Sequence, residues 1–205
     1  MMKIYGDKIS GNCLKVKYVA DLLYTPYEWA DIDVVAGETR LPEFLAVNPT
    51  GQVPVVQFPD GRVLAQSNAI MRFLASGSNL IPSDPWLAAK MDEWLFWEQY
   101  NHETSIAVTR FQVLFRGCAI KDRNPALVKK GEAALDRMEV QLQNRLWFVG
   151  DTLSLADIAL FAYTQFAPDA GFVLDDRTAV LDWLHRVSVA LDIDELYCGV
   201  SAKIF

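Results

Sequence analysis

The segment Ser78-Asn79-Leu80-Ile81-Pro82-Ser83-Asp84-Pro85 separates two stretches of different hydrophobic periodicity, and that change confines the chain to a fold in two parts. Its prolines stop a helix from running through it. Ahead of it, short apolar runs alternate with helical spacing. Lys3-Ile4-Tyr5 reads as a strand, residues 6–10 as a loop, and residues 12–24 as a helix with Val16, Val19, Ala20 and Leu23 on its apolar face. Residues 27–34 read as the next strand, so the opening is a strand, helix, strand unit with a right-handed crossover. Residues 41–47 suit a short helix with Pro42 in its first turn. Residues 53–58 and 62–65 read as a hairpin around Pro59-Asp60-Gly61, and a helix over 67–75 follows.

That order, strand, helix, strand, helix, hairpin, helix, is the thioredoxin-like order, with a mixed four-stranded sheet complete by about Gly77. Beyond the linker, helices are expected over 86–116, 125–144, 154–166 and 177–190. The fold class is therefore α/β plus all-α: a thioredoxin-like domain over 1–77, a linker over 78–86 and a helical bundle over 87–205. The first helix of the bundle carries Trp94, Leu95, Trp97, Ile106, Val108, Phe111, Leu114 and Phe115. It is too apolar for a one-sided surface helix, which points to a second packing face or a ligand cleft.

Composition excludes several functions. With 205 residues and 52% hydrophobic content the chain can bury a substantial core. A formal charge of −7 argues against a general nucleic-acid or anionic-membrane partner, each of which requires a clustered basic surface. No stretch has the length of a membrane span and the N-terminus lacks a signal-peptide pattern, so a cytoplasmic location is expected. Three cysteines, Cys13, Cys118 and Cys198, fit a reducing compartment, and His102 and His185 lack metal-ligand spacing, so no metal is expected.

Three motifs bear on chemistry. Ser10-Gly11-Asn12-Cys13 stands where the first strand's loop enters the first helix, the place of the redox pair in a thioredoxin-like fold, with oxygen in place of the first sulfur. A ligand thiolate there would feel the helix N-terminus and receive a hydrogen bond from the serine, although Ser10 also reads as an ordinary N-cap. Asn48-Pro49-Thr50-Gly51-Gln52-Val53-Pro54 puts a proline at a strand opening; a cis Pro54 would leave the Val53 backbone to pair with an extended ligand, while a proline merely tolerated there is the plainer reading. Gln66-Ser67-Asn68-Ala69-Ile70 opens the third helix, where Ser67 suits either an N-cap or a carboxylate site.

Taken together, in that order and spacing, these motifs resemble the cytosolic glutathione transferase family, bacterial and serine-type, theta- or phi-like, over essentially the whole chain. A fourth element, Ser154-Leu155-Ala156-Asp157, resembles the family's capping box in the helical domain and is structural. The resemblance implies Ser10 as the catalytic hydroxyl and Asn12, Gln52, Val53, Pro54, Gln66 and Ser67 as glutathione-binding residues. Gln52 and Gln66 replace the lysine and glutamate of many members. Alpha, mu and pi members use a tyrosine at the end of the first strand, but Tyr5 lies one residue too far from the helix. Cys13 is expected to point inward as a buried thiol.

By the same resemblance, Tyr5, Asn101, His102, Ile106 and Arg110 are candidates for the pocket that receives the electrophile. The implied function is detoxifying conjugation: enzyme-bound glutathione thiolate attacks a small hydrophobic electrophile, with glutathione as co-substrate, no metal, and a homodimer as the assembly. Two competing readings are glutathione-dependent peroxide or disulfide reduction and a non-catalytic docking module of the same fold.

Overall fold

The computed structural model describes residues 1–193, and Cys198 lies outside them. The chain divides into two compact units, Met1–Ser78 and Asn79–Phe205.

In the first unit, β1 (Met2–Gly6) pairs in parallel with β2 (Tyr27–Asp31) through the crossover helix α1 (Gly11–Leu22). After a 3₁₀ turn (Glu38–Arg40) comes α2 (Pro42–Val47), then the hairpin β3 (Val55–Gln57) and β4 (Val63–Ala65), then α3 (Ser67–Leu74). Strand order is β2-β1-β3-β4, with β3 antiparallel to both neighbours. Residues alternate across a strand, so Ile4 faces one side and Tyr5 the other. Met2, Ile4 and Val56 join Val16 and Ala20 of α1 and Ile70 of α3 in one core, while Tyr5 meets Phe44 of α2 edge-on at 6.3 Å. Helices thus cover both faces of the sheet. The second strand ends at Asp31, three residues earlier than its hydrophobic run suggests. Gly6 closes β1 where a Cβ would stand 2.7 Å from the Trp29 ring, so the strand end admits only glycine without movement.

In the second unit the expected helix over 86–116 is α4 (Pro85–Trp97), one π-helical turn (Glu98–His102) and α5 (Glu103–Phe115). Helix α4 starts inside the expected linker, because Asp84 accepts the Leu87 N–H at 2.9 Å as its N-cap. Leu80, 6% exposed, accepts the Leu155 N–H at 3.0 Å and ties the preceding segment to this unit. Helices α6 (Pro125–Leu142), α7 (Leu155–Thr164) and α8 (Thr178–Ala190) complete it. Every residue of α7 is buried, as expected of a helix apolar all round. Asp157 at its first turn accepts from the Ser154 N–H and Oγ–H, the Phe148 N–H and the Trp183 indole N–H at 2.8–3.0 Å. Burial pushes its carboxyl above the usual carboxylate range, and these four donors pull it back. The capping box is therefore also the polar centre of the helical core.

Candidate functional site

Ser10 is the N-cap of α1, in extended conformation, and its Oγ accepts the Cys13 N–H at 3.4 Å. A hydroxyl that accepts keeps its proton, and here that proton also has the Cys13 sulfur within reach, a hydrogen bond that lowers the thiol against the larger effect of burial. The loop ahead of it is braced by Asp7, which the motif reading left without a role. Its Oδ1 accepts the Ile9 N–H at 3.1 Å, its Oδ2 accepts the Val34 N–H at 3.0 Å, and its carbonyl accepts the Ser10 N–H at 3.1 Å. An acidic residue three before an N-cap serine was the available signal.

Cys13 is fully buried and accepts the Asp7 N–H at its sulfur. Burial pushes its thiol up to about 12, so it stays protonated at neutral pH and is no nucleophile. Any thiolate at this helix end must come from a ligand.

The other motifs gather near the same end of the sheet. Asn48, 5% exposed, shapes the turn before Pro54: its Nδ2 donates to the Gln52 carbonyl at 2.7 Å and its Oδ1 accepts from the Thr50 hydroxyl at 2.9 Å. The Val53-Pro54 peptide bond is cis. Strand β3 begins at Val55, opposite Tyr5, so the Val53 backbone lies beyond the ladder. Gly51 has φ +62°, and a Cβ there would meet Arg40 Nη1 at 2.6 Å. An exposed cation, Arg40, thus flanks the Gln52-Val53 segment; no local pattern in the sequence marked it.

Gln66, between β4 and α3, has φ +73° and ψ 110°, a conformation costing a non-glycine residue about 1–3 kcal/mol. Ser67 begins α3, is 5% exposed, and donates its hydroxyl to Asn12 Oδ1 at 3.0 Å. This contact links the N-terminal ends of α1 and α3 across 55 residues of sequence. Ser10, Asn12 and Ser67 therefore belong to one constellation, with two helix N-termini for anionic groups.

Tyr5 has a different place. It stands on the α2 face of the sheet and donates its phenol to Gln57 Oε1 at 3.1 Å, so its proton is already engaged. The candidates of the helical unit lie in and after the π-helical turn. His102 and Ile106 have no exposed surface. Thr164 spends its hydroxyl proton on the Leu160 carbonyl at 2.7 Å, so His102 Nε2 donates to Thr164 Oγ1 at 2.9 Å. Arg110 is 6% exposed, bonds Asp169 at 3.0 Å and lies 4.3 Å from the Phe166 ring centroid. Asn101 is half-buried and its carbonyl accepts the Ser105 hydroxyl at 2.8 Å. Asn101 and His102 stand in the π-helical turn and Ile106 and Arg110 on α5, and packing within the helical unit buries His102, Ile106 and Arg110. Among the described residues, no group of three or more His, Cys, Asp or Glu could hold a metal ion.

Residues 9–76 match the model of the glutathione S-transferase N-terminal domain, and residues 117–189 that of the C-terminal domain. The chain belongs to the glutathione transferase family. This glutathione transferase is 46% identical to a glutathione S-transferase from Pseudomonas fluorescens, with a TM-score of 0.87 over 91% of this chain and 94% of that one. A glutathione S-transferase from Xanthobacter autotrophicus is 40% identical, with a TM-score of 0.89 over 96% and 97% of the two chains. Glutathione S-transferase 3 of Zea mays is 32% identical over 91% of this chain and 89% of its own length.

Proposed function

We propose that the chain is a working serine-type, theta- or phi-like glutathione transferase whose Ser10 hydroxyl holds the glutathione thiolate. The observation that carries the reading is the pairing of Ser10, at the N-cap of a 12-residue helix, with a Cys13 thiol that burial pushes up to about 12. The helix end favours a thiolate, and the protein's own sulfur is not the one ionised. Glutathione brings the sulfur. It also brings a γ-glutamyl ammonium and carboxylate for Gln66 and Ser67, a backbone to pair with Val53 before Pro54, and a glycyl carboxylate for the Arg40 side of Gln52.

In the reaction the thiol proton passes to solvent, the sulfur lone pair forms a bond to the electrophile, and either a leaving group departs with its electron pair or the adduct takes up a proton. Positioning and thiolate stabilisation supply the catalysis, with no protein nucleophile. Ser10 replaces the cysteine that disulfide exchange would use, and transferase kinship favours neither the reductive reading, peroxide turnover included, nor the docking reading.

The reading extends to a cytoplasmic homodimer acting in detoxification. Among the described residues no helix is long and apolar enough to cross a membrane. Trp86, Phe96 and Tyr100 are 72–77% exposed along α4 and the π-helical turn after it, large apolar side chains that a second copy would cover. Sedimentation giving only monomer at micromolar concentration would remove the dimer. The test of the function itself is thermal: millimolar glutathione should raise the melting temperature, because a ligand of the native state stabilises it by mass action. No shift at saturation, with no conjugation of any electrophile class, would overturn the enzyme reading.

A further inference from the structure

Lys15 has no exposed surface, on a side of α1 otherwise lined by Gly11, Cys13, Val16, Val19 and Ala20. Burying an ammonium is expensive unless hydrogen bonds or opposite charge compensate it, so its partners are held closely. Its Nζ donates to Asn12 Oδ1 at 2.9 Å, the same oxygen that accepts the Ser67 hydroxyl at 3.0 Å. One amide oxygen thus takes two donors, one from the next turn of its own helix and one from the first residue of α3.

An ammonium has no lone pair and can only donate. Turning the Asn12 amide over would set its NH₂ against that donor, so the amide is held in one orientation, its Nδ2 hydrogens directed away from Lys15. With Oδ1 presented to it, Ser67 keeps its proton on Asn12 and leaves its oxygen lone pairs to accept. The polarity of the whole chain of bonds is set by the lysine.

We infer that Lys15 is a positioning residue for the γ-glutamyl end of glutathione, acting through Asn12 and Ser67 without touching the ligand. This rests on the glutathione site proposed above. The γ-glutamyl group carries both a cation and an anion at its α-carbon, and so requires an acceptor and donors in fixed places. Ser67 Oγ supplies the acceptor, and the first N–H groups of α3 supply the donors.

The experiment compares glutathione with cysteinylglycine, which has the same thiol and glycine but lacks the γ-glutamyl group. Wild-type protein must first bind glutathione; if it does not, the glutathione site is wrong and this inference falls with it. Lys15→Met should then lose about tenfold in affinity and KM for glutathione, the scale of one oriented polar contact, with kcat at saturation and the pKa of the bound thiol unchanged. Its affinity for cysteinylglycine should equal that of wild type, and Lys15→Arg should restore most of the glutathione affinity. Asn12→Ala is the second variant, useful if Lys15→Met folds poorly. It should show the same split between the two ligands, and the double variant should be no worse than either single one. Equal losses for both ligands, or wild-type affinity for glutathione, would make Lys15 a packing residue only. A raised thiol pKa with intact affinity would place its action at the sulfur and overturn the inference.

Discussion

Replacing Ser10 by alanine removes one oxygen with two roles of unequal strength. As an N-cap its contact to the Cys13 N–H is 3.4 Å, at the long limit for such a bond, so the cost in stability should sit at the low end for caps, about 0.5 kcal/mol. As a donor to a thiolate it makes a charge-assisted bond of about 1.5–3 kcal/mol, equivalent to about 1–2 units in the pKa of the bound thiol. Ser10→Ala should therefore bind glutathione nearly as well, and its bound thiol should titrate about 1–2 units higher, back toward the ordinary value. Activity at neutral pH should fall about ten- to hundredfold and recover as the pH is raised through the new pKa. Ultraviolet titration of the bound thiolate is the assay, with Tyr5→Phe as control, because the Tyr5 phenol is engaged with Gln57 on the α2 face. Should Ser10→Ala titrate like wild type while Tyr5→Phe is shifted, the assignment of the hydroxyl is wrong. Ser10→Cys should exchange conjugation for disulfide exchange, since a thiol at that helix end ionises readily.

Gln66→Gly should be at least as stable as wild type, because φ +73° suits glycine, yet bind glutathione more weakly; a drop in stability on denaturant titration would show that Gln66 is not strained. Native Cys13 should resist alkylation at pH 8 while Cys118, partly exposed, reacts, with peptide mass spectrometry as the readout. Its thiol rises from 9.0 to about 12, so between those values the native state holds a proton that the unfolded state has lost. Stability should thus fall with rising pH there, and Cys13→Ala should flatten that slope in unfolding curves measured across the window. Ser154→Ala should cost about 1 kcal/mol as a lost cap, whereas Asp157→Ala should cost about 3 kcal/mol or more, because donors from three segments lose their acceptor. Both should keep activity per folded molecule; comparable losses would contradict the central role of Asp157.

What the sequence determined by itself was local or modular. The 2- and 3.6-residue periodicities marked every strand and all the main helices of the described chain, because each pattern reports which face meets a core. The turn at Pro59-Asp60-Gly61, the Ser154 cap and the serine opening α1 are decided by a few neighbouring residues. Element ends were less legible: β2 stops at Asp31 and α4 begins at Pro85, since a strand lasts as long as its partner and a helix starts at its cap. Tertiary structure alone decided which polar side chains are buried and what each is bonded to. His102 and Arg110 share a helical surface with Ile106, yet Thr164 and Asp169, about 60 residues onward, claim them for the interior. Nothing along the sequence marks Lys15; only the fold buries it beside Asn12, where α3 brings Ser67 to the same oxygen. Spacing along a helix says which side chains are neighbours on one element; only packing brings in the partner from another, and hydrogen-bond direction depends on that partner.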